Sequence, residues 1–127
     1  MTNTMIVEDN VSFRQELIGL LSSRFPLMKF EQAGDGKEAL RKISNLLPDL
    51  IFMDIKLPGV NGLELTSKIK SSYSDIIIII LTSYDLPEYR HAAKQSGANY
   101  FISKGSSSAE EILALVESIL SRLDQGQ

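Results

Sequence analysis

The 127-residue chain has no cysteine, which excludes disulfide bonds, thiolate metal sites and cysteine nucleophiles. Its one histidine, His91, falls in a segment with helical periodicity and is expected to be solvated, without a role. The most apolar run, Ile76–Leu81, is far too short to span a bilayer. The first residues have neither the basic start nor the apolar core of a signal peptide. We therefore expect a cytoplasmic protein with no membrane partner.

The chain also has no strong net charge of either sign, since its 13 Lys and Arg residues nearly balance its 16 Asp and Glu residues and leave a formal net charge of −3. This balance gives no reason to expect direct binding to nucleic acid or anionic lipid. Hydrophobic residues make up 43% of the chain and charged residues 23%, which is ordinary for a folded protein. The length predicts one domain covering residues 1–127.

Short apolar runs alternate along the chain with segments of helical periodicity. Five strands alternating with five helices predict an α/β fold whose parallel sheet is covered on both faces. Leu50–Met53 and Ile76–Leu81 are continuously apolar, as central parallel strands are, whereas Met28–Glu31 alternates and is expected at an edge. The predicted strands are Met5–Val7, Met28–Phe30, Leu50–Met53, Ile76–Leu81 and Tyr100–Ile102.

The helical segments carry apolar stripes that we interpret as core faces. Ser108–Glu111 has the spacing of a capping box at the start of the last helix, and Gly97 suits the end of the fourth. Leu113 lies outside the main stripe of the last helix and is expected to be exposed. The stripe of the first helix is Phe13, Leu17, Leu20 and Leu21, and that of the last is Ile112, Val116, Ile119, Leu120 and Leu123.

Polar residues follow four of the predicted strands. Glu8 and Asp9 follow the first, Asp54 follows the third, the fourth ends at Thr82, and the fifth runs into Lys104. Sites in open parallel sheets form at the carboxyl ends of the strands, near the point where the winding direction reverses. We therefore expect three carboxylates, a hydroxyl and an ammonium to converge.

Three neighbouring carboxylates repel one another and need a counter-charge, which a hard divalent cation supplies. Mg²⁺ typically binds one or two carboxylates, waters and phosphate oxygens. An aspartate beside such an ion is a plausible phosphoryl acceptor, and we assign that role to Asp54. Lys104 and the Thr82 hydroxyl suit the phosphoryl oxygens, because phosphoryl transfer depends mainly on positioning and charge stabilisation.

Read singly, these residues have ordinary interpretations. Glu8 and Asp9, or Asn10, could cap the first helix, Thr82 could simply end a strand, and Lys104 could be a surface lysine. The site interpretation depends on their convergence.

In order and spacing, the chain resembles the receiver domain of the two-component response-regulator family. The matching segments are Ile6–Asn10, Met53–Gly59, Asn61-Gly62, Leu81–Ser83, Gly97-Ala98 and Phe101–Lys104. The resemblance implies a flavodoxin-like sheet of strand order 2-1-3-4-5. It implies phosphoryl transfer to Asp54 from a phosphohistidine of a sensor histidine kinase or a phosphotransfer protein. It also implies that Asp9, Asp54 and the backbone carbonyl of Lys56 hold Mg²⁺, with Glu8 nearby through water.

The resemblance also implies a switch in which Thr82 and an aromatic residue, here Phe101, move together on activation. The family commonly has tyrosine at that position, and Tyr100 lies on the opposite side of the strand. The surface of the fourth helix, fifth strand and fifth helix would then change, as a homodimer contact or for an effector domain. We expect a signalling switch rather than an enzyme, catalysing at most its own phosphorylation and dephosphorylation.

The sequence Lys104-Gly105 followed by serines resembles that of the response regulators which carry a C-terminal helix-turn-helix domain. The chain would then be the N-terminal part of a longer transcription regulator, and would reach DNA only through that further domain.

Three other functions compete. A flavodoxin-type flavin carrier needs a phosphate loop after the first strand, where Glu8 and Asp9 would repel the phosphate. A phosphatase with an aspartyl nucleophile would place an acid two residues after Asp54, where the chain has Lys56. A receiver-like interaction module that never turns over phosphate remains open at this stage.

Overall fold

The structure, a computed structural model, describes residues 2–125. Strands and helices alternate strictly along this part of the chain, as the apolar pattern predicts. The strands are β1 (Asn3–Val7), β2 (Lys29–Ala33), β3 (Leu50–Met53), β4 (Ile77–Thr82) and β5 (Tyr100–Ser103). The helices are α1 (Val11–Arg24), α2 (Gly36–Leu46), α3 (Gly62–Ser72), α4 (Pro87–Gln95) and α5 (Ala109–Gln125).

All strand pairs are parallel and the order is β2-β1-β3-β4-β5, which confirms the flavodoxin-like sheet. The two continuously apolar runs form β3 and β4 inside the sheet, and the alternating run forms β2 at one edge. The winding direction reverses between β1 and β3, so the carboxyl ends of these two strands border the crevice where such sheets form sites.

Alternate side chains of each strand enter two separate cores, one on each face of the sheet. Met5 and Val7 of β1 pack with α2, α3 and α4, whereas Ile6 packs with α1 and α5. Both faces are therefore covered by helices, as a parallel sheet requires.

Short polar side chains fix where the helices begin. Asn10 accepts a hydrogen bond from the Phe13 N–H at 3.0 Å, and Asp35 caps α2 in the same way. Ser108 and Glu111 exchange the two hydrogen bonds of a capping box, as predicted. Gly97, with a φ of 97°, supplies the left-handed residue after α4.

One burial assignment and several strand bounds of the sequence prediction are wrong; β1, for example, begins at Asn3, two residues before its predicted start. Leu113 is 4% exposed and packs in the α1–α5 core, because the buried face of α5 is wider than the stripe through Ile112 and Val116. Strand β2 begins one residue later than predicted and continues to Ala33, since it stays paired with β1 as far as Val7.

Two further observations concern the helices. His91 is exposed on α4, as expected. Within residues 2–125, no helix is long and apolar enough to cross a membrane.

Candidate functional site

The carboxyl ends of β1 and β3 bring the predicted acidic residues together. The Asp54 N–H donates to the Val7 carbonyl at 3.1 Å, which extends the pairing of the two strands by one residue. Glu8 is tied to the other neighbour of β1, since its N–H donates to the Ala33 carbonyl at 2.9 Å. The backbone of both acids is thus held by the sheet before any side chain is considered.

The three carboxylates form a cluster that can hold a cation. One oxygen from each of Glu8, Asp9 and Asp54 lies within 4.8 Å of the others. Glu8 and Asp54 are buried, whereas Asp9 is exposed at the mouth of the cluster. Oxygen ligands of this kind suit a hard divalent cation.

Lys104 reaches the same cluster from the end of β5. Its Nζ donates to Glu8 Oε1 and lies 3.6 Å from Asp54 Oδ2. The backbone places it there, because the Lys104 N–H donates to the Thr82 carbonyl at 2.8 Å. One ammonium faces three carboxylates, so the cluster keeps an excess of negative charge.

Burial raises the pKa of the Glu8 carboxyl above its ordinary value, since a charge is costly where water is excluded. The hydrogen bonds from Lys104 and from the Asn10 N–H oppose this shift, and the Asp54 carboxylate adds to it. The Lys104 ammonium therefore offsets only part of the cost of burying the Glu8 charge.

Asp54 has one oxygen held by the backbone and one directed to Lys104. Its Oδ1 accepts a hydrogen bond from the Ile55 N–H at 2.8 Å, which fixes the plane of the carboxylate. Gly62 packs against the Asp54 backbone so closely that an added Cβ would lie 1.9 Å from the Asp54 carbonyl oxygen. Asp54 is therefore held in place by its backbone contacts, with the start of α3 packed against it.

Thr82 is buried at the end of β4, and its Oγ1 accepts a hydrogen bond from the Tyr84 N–H at 3.3 Å. Phe101 is half-buried and packs on the same side of the sheet as α4, whereas Tyr100 packs on the opposite side. Thr82 and Phe101 thus both adjoin the α4 region. The predicted placement of the two neighbouring aromatic residues is confirmed.

Two cations cover the aromatic residues of this region, which the sequence did not indicate. The Lys56 ammonium lies over the rings of Tyr84 and Tyr89, at 5.1 and 5.9 Å from their centroids. The Arg90 guanidinium lies 4.7 Å from the centroid of Phe101. Lys56 was expected to contribute only its backbone carbonyl to the site. No periodicity or motif signals the position of its side chain.

Two contacts around Lys104 and Glu8 were also missed. The Lys104 ammonium lies over the Phe13 ring, 4.0 Å from its centroid, and Arg14 donates to the Glu8 carbonyl. Phe13 was assigned to the apolar face of α1, and it does pack against that core. Its periodicity therefore predicted the packing but not the contact with Lys104.

A family model described as the response regulator receiver domain matches residues 4–117. The chain is 32% identical over 115 residues to Response regulator GacA of Pseudomonas viridiflava, covering 91% of this chain and 54% of that protein. It is 35% identical over 112 residues to the Oxygen regulatory protein NreC of Staphylococcus epidermidis, covering 87% and 51%. The chain spans about half the length of the curated relatives it matches.

Solved structures agree with the sequence comparison. A response regulator receiver domain protein (CheY-like) from Methanospirillum hungatei JF-1 superposes with a TM-score of 0.89 at 25% identity, covering 100% of this chain and 99% of that one. A LuxR-family two-component response regulator from Aurantimonas sp. SI85-9A1 gives 0.87 at 30% identity, covering 95% and 86%. By sequence, fold and an acidic cluster that can hold a metal ion, the chain belongs to the response regulator receiver domain family of two-component signalling systems.

Proposed function

We propose that Asp54 accepts a phosphoryl group from a phosphohistidine of a sensor histidine kinase or a phosphotransfer protein, in a Mg²⁺-dependent reaction. The observation that carries this proposal is the convergence of a buried, backbone-fixed Asp54 with Lys104 and two further carboxylates. Phosphoryl transfer asks little covalent chemistry of the protein beyond a positioned nucleophile and compensating charge.

In the transfer step, a carboxylate oxygen of Asp54 attacks the phosphorus and forms an O–P bond. The P–N bond to the donor imidazole breaks, and its electron pair stays on the nitrogen. The side chain of Lys104, 3.6 Å from Asp54 Oδ2, donates to a phosphoryl oxygen and offsets its charge. The Thr82 hydroxyl is the second donor from this chain. The product is an acyl phosphate on Asp54.

The donor set fits a magnesium ion, because three carboxylates lie within 4.8 Å and a single ammonium does not neutralise them. Asp9, Asp54 and the backbone carbonyl of Lys56 would hold the ion, with Glu8 nearby through water. When bound, Mg²⁺ offsets the repulsion between the acceptor carboxylate and the incoming phosphoryl group. Asp9 is the exposed member of this set.

Phosphorylation then acts on the surface formed by α4, β5 and α5, called the output face below. Thr82 and Phe101 are the switch residues. The phosphoryl group draws the Thr82 hydroxyl inward, and Phe101 fills the space that this vacates. A ligand shifts such an element only by its differential contacts with the two states.

The protein would associate through the output face, either with a second copy as a symmetric homodimer or with an effector domain. It thus acts as a switch and not as an enzyme on a separate substrate. The curated relatives are about twice as long as the chain, and one similar solved structure is a DNA-binding response regulator of the LuxR family from Staphylococcus aureus. We therefore infer that the output is transcription, controlled in the cytoplasm through a DNA-binding domain outside this chain.

The competing functions have physical obstacles. The buried Glu8 carboxylate occupies the position after β1 where a flavin carrier would bind phosphate, and it would repel that group. Lys56 stands where a phosphatase of this type needs an acid, and its ammonium is turned to Tyr84 and Tyr89.

The test is the intact mass of the protein after incubation with Mg²⁺ and acetyl phosphate. We expect a gain of one phosphoryl group that is lost in Asp54→Asn and strongly reduced in Asp9→Asn. Asp75→Asn, an exposed aspartate in the turn before β4, is the matched control and should label like the wild type. Labelling that persists in Asp54→Asn, or without any divalent metal, would contradict the proposal. A wild-type protein that gains no phosphoryl group would instead favour the interaction module that never turns over phosphate.

A further inference from the structure

The side chain of Lys104 is enclosed by three groups of this chain. Its ammonium donates to Glu8 Oε1, lies 3.6 Å from Asp54 Oδ2, and lies 4.0 Å from the centroid of the Phe13 ring. Only 17% of the Lys104 side chain is exposed. The ring thus covers a side of the ammonium that neither carboxylate occupies.

Phe13 is itself tied to the site by its backbone. The Asn10 side chain accepts from the Phe13 N–H at 3.0 Å, and the Asn10 N–H donates to Glu8 Oε2 at 3.0 Å. Glu8 in turn accepts from Lys104 through its other oxygen. The four residues therefore form a closed circuit of contacts, in which Phe13 and Glu8 hold Lys104 from two sides.

An aromatic face attracts a cation through its quadrupole, and the attraction is larger where water is excluded. A leucine at position 13 would keep most of the apolar packing of α1 but would lose this attraction. A lysine without the ring has more freedom, because its four-carbon stem has many rotamers. Packing and cation binding at Phe13 can therefore be separated by substitution.

We propose that Phe13 is a positioning residue for Lys104, holding the ammonium beside Asp54 so that it meets the incoming phosphoryl group without reorganisation. The inference rests on the proposed function in that Lys104 is taken to assist phosphoryl transfer. In this role Phe13 acts through Lys104.

Three variants test this. Phe13→Leu removes the ring, Phe13→Tyr keeps it, and Phe25→Leu is the matched control, because Phe25 packs against the same core from the other end of α1. The first readout is the rate of phosphoryl gain from acetyl phosphate with Mg²⁺. The second is the NMR shift of the Lys104 side-chain methylene protons in metal-free protein with labelled lysine, assigned by comparison with Lys104→Arg. A ring face shields protons that lie over it.

We expect Phe13→Leu to lower the rate about three- to tenfold, the fold-change that matches a partly desolvated cation–π contact. The shielded Lys104 signals should move to ordinary lysine shifts in the same variant. Phe13→Tyr should restore both readouts, and Phe25→Leu should change neither.

Unchanged Lys104 shifts in Phe13→Leu would overturn the inference, and so would shifts that move while the rate stays at the wild-type value. A wild-type protein that gains no phosphoryl group would instead refute the proposed function. The two failures are distinguishable, because the NMR measurement needs neither metal nor phosphodonor.

Discussion

Gly62→Ala is the most severe small change that the structure offers near Asp54. A Cβ at Gly62 would lie 1.9 Å from the Asp54 carbonyl oxygen, 2.9 Å from its carbonyl carbon and 3.0 Å from the Ile55 Cα. All three are backbone atoms, so no rotamer change relieves the contact. The Gly62 N–H also donates to the Ile55 carbonyl at 2.8 Å, and any displacement weakens that hydrogen bond.

The cost follows from these contacts. Overpacking a well-packed site costs about 1–3 kcal/mol, and weakening one buried hydrogen bond adds about 1 kcal/mol. We therefore expect Gly62→Ala to reduce the free energy of unfolding by about 2–4 kcal/mol, within the total of about 5–15 kcal/mol that domains possess. The variant should fold at 25 °C. Its phosphorylation rate should fall by about a hundredfold, since a displacement of about 1 Å at a reacting group has that effect.

Urea denaturation and the acetyl phosphate assay measure the two effects. Gly19→Ala is the control, because Gly19 lies on the exposed side of α1 with nothing within 4 Å of an added Cβ. That change should stabilise the protein by about 0.5–1 kcal/mol, as removal of glycine from a helix interior does, and leave phosphorylation unchanged. If Gly62→Ala unfolds at the wild-type urea concentration and labels at the wild-type rate, the close packing of α3 under Asp54 is refuted.

Three further outcomes are expected. Thr82→Ala should still accept a phosphoryl group. It should lose the change in amide exchange that phosphorylation causes over Tyr84–His91, because the hydroxyl that links the site to this segment is gone. A change that persists in the variant would refute this coupling. Phosphorylated wild type should sediment as a larger species than the resting form. Tyr89→Ala should reduce that association, since aromatic residues are enriched at interface centres. If both forms are monomeric, association through the output face is refuted. The pKa of the Glu38 carboxyl is lowered mainly by the hydrogen bond from the Gly34 N–H and next by the hydrogen bond from the Lys42 ammonium. Because the pKa of Glu38 is lower in the folded state than its ordinary value of 4.5, the ionised carboxylate stabilises the fold above that pH, and this stabilisation is lost as the pH falls through the folded-state pKa. In urea titrations, Glu38→Gln should therefore destabilise the protein at pH 7 and much less at pH 3. An equal effect at both pH values would refute this.

The fold was predictable because its signals are local and repeated. Two continuously apolar runs indicated the central strands, and one alternating run indicated an edge strand, since burial on one or two faces determines the spacing of apolar residues. Helix starts were marked by residues that act within four positions, such as Ser108 and Glu111. Leu113 was misplaced because a stripe at helical spacing gives the centre of a buried face but not its width.

The candidate site was predictable only as a set of positions. Parallel strands align their carboxyl ends, so Glu8, Asp9, Asp54 and Lys104 were expected together, and the structure brings them together. The partner of each side chain was not predictable. The Lys104 ammonium donates to Glu8, lies farther from Asp54 and is covered by the Phe13 ring. Such choices depend on rotamers and backbone turns that no spacing records.

The output face illustrates the same distinction. The sequence predicts that this surface changes on activation, but not which contacts its side chains make. In the structure Tyr84 and Tyr89 lie under the Lys56 ammonium, and Arg90 binds Asp85 while covering the Phe101 ring. A partner that binds the ring faces under these cations must displace contacts within the chain.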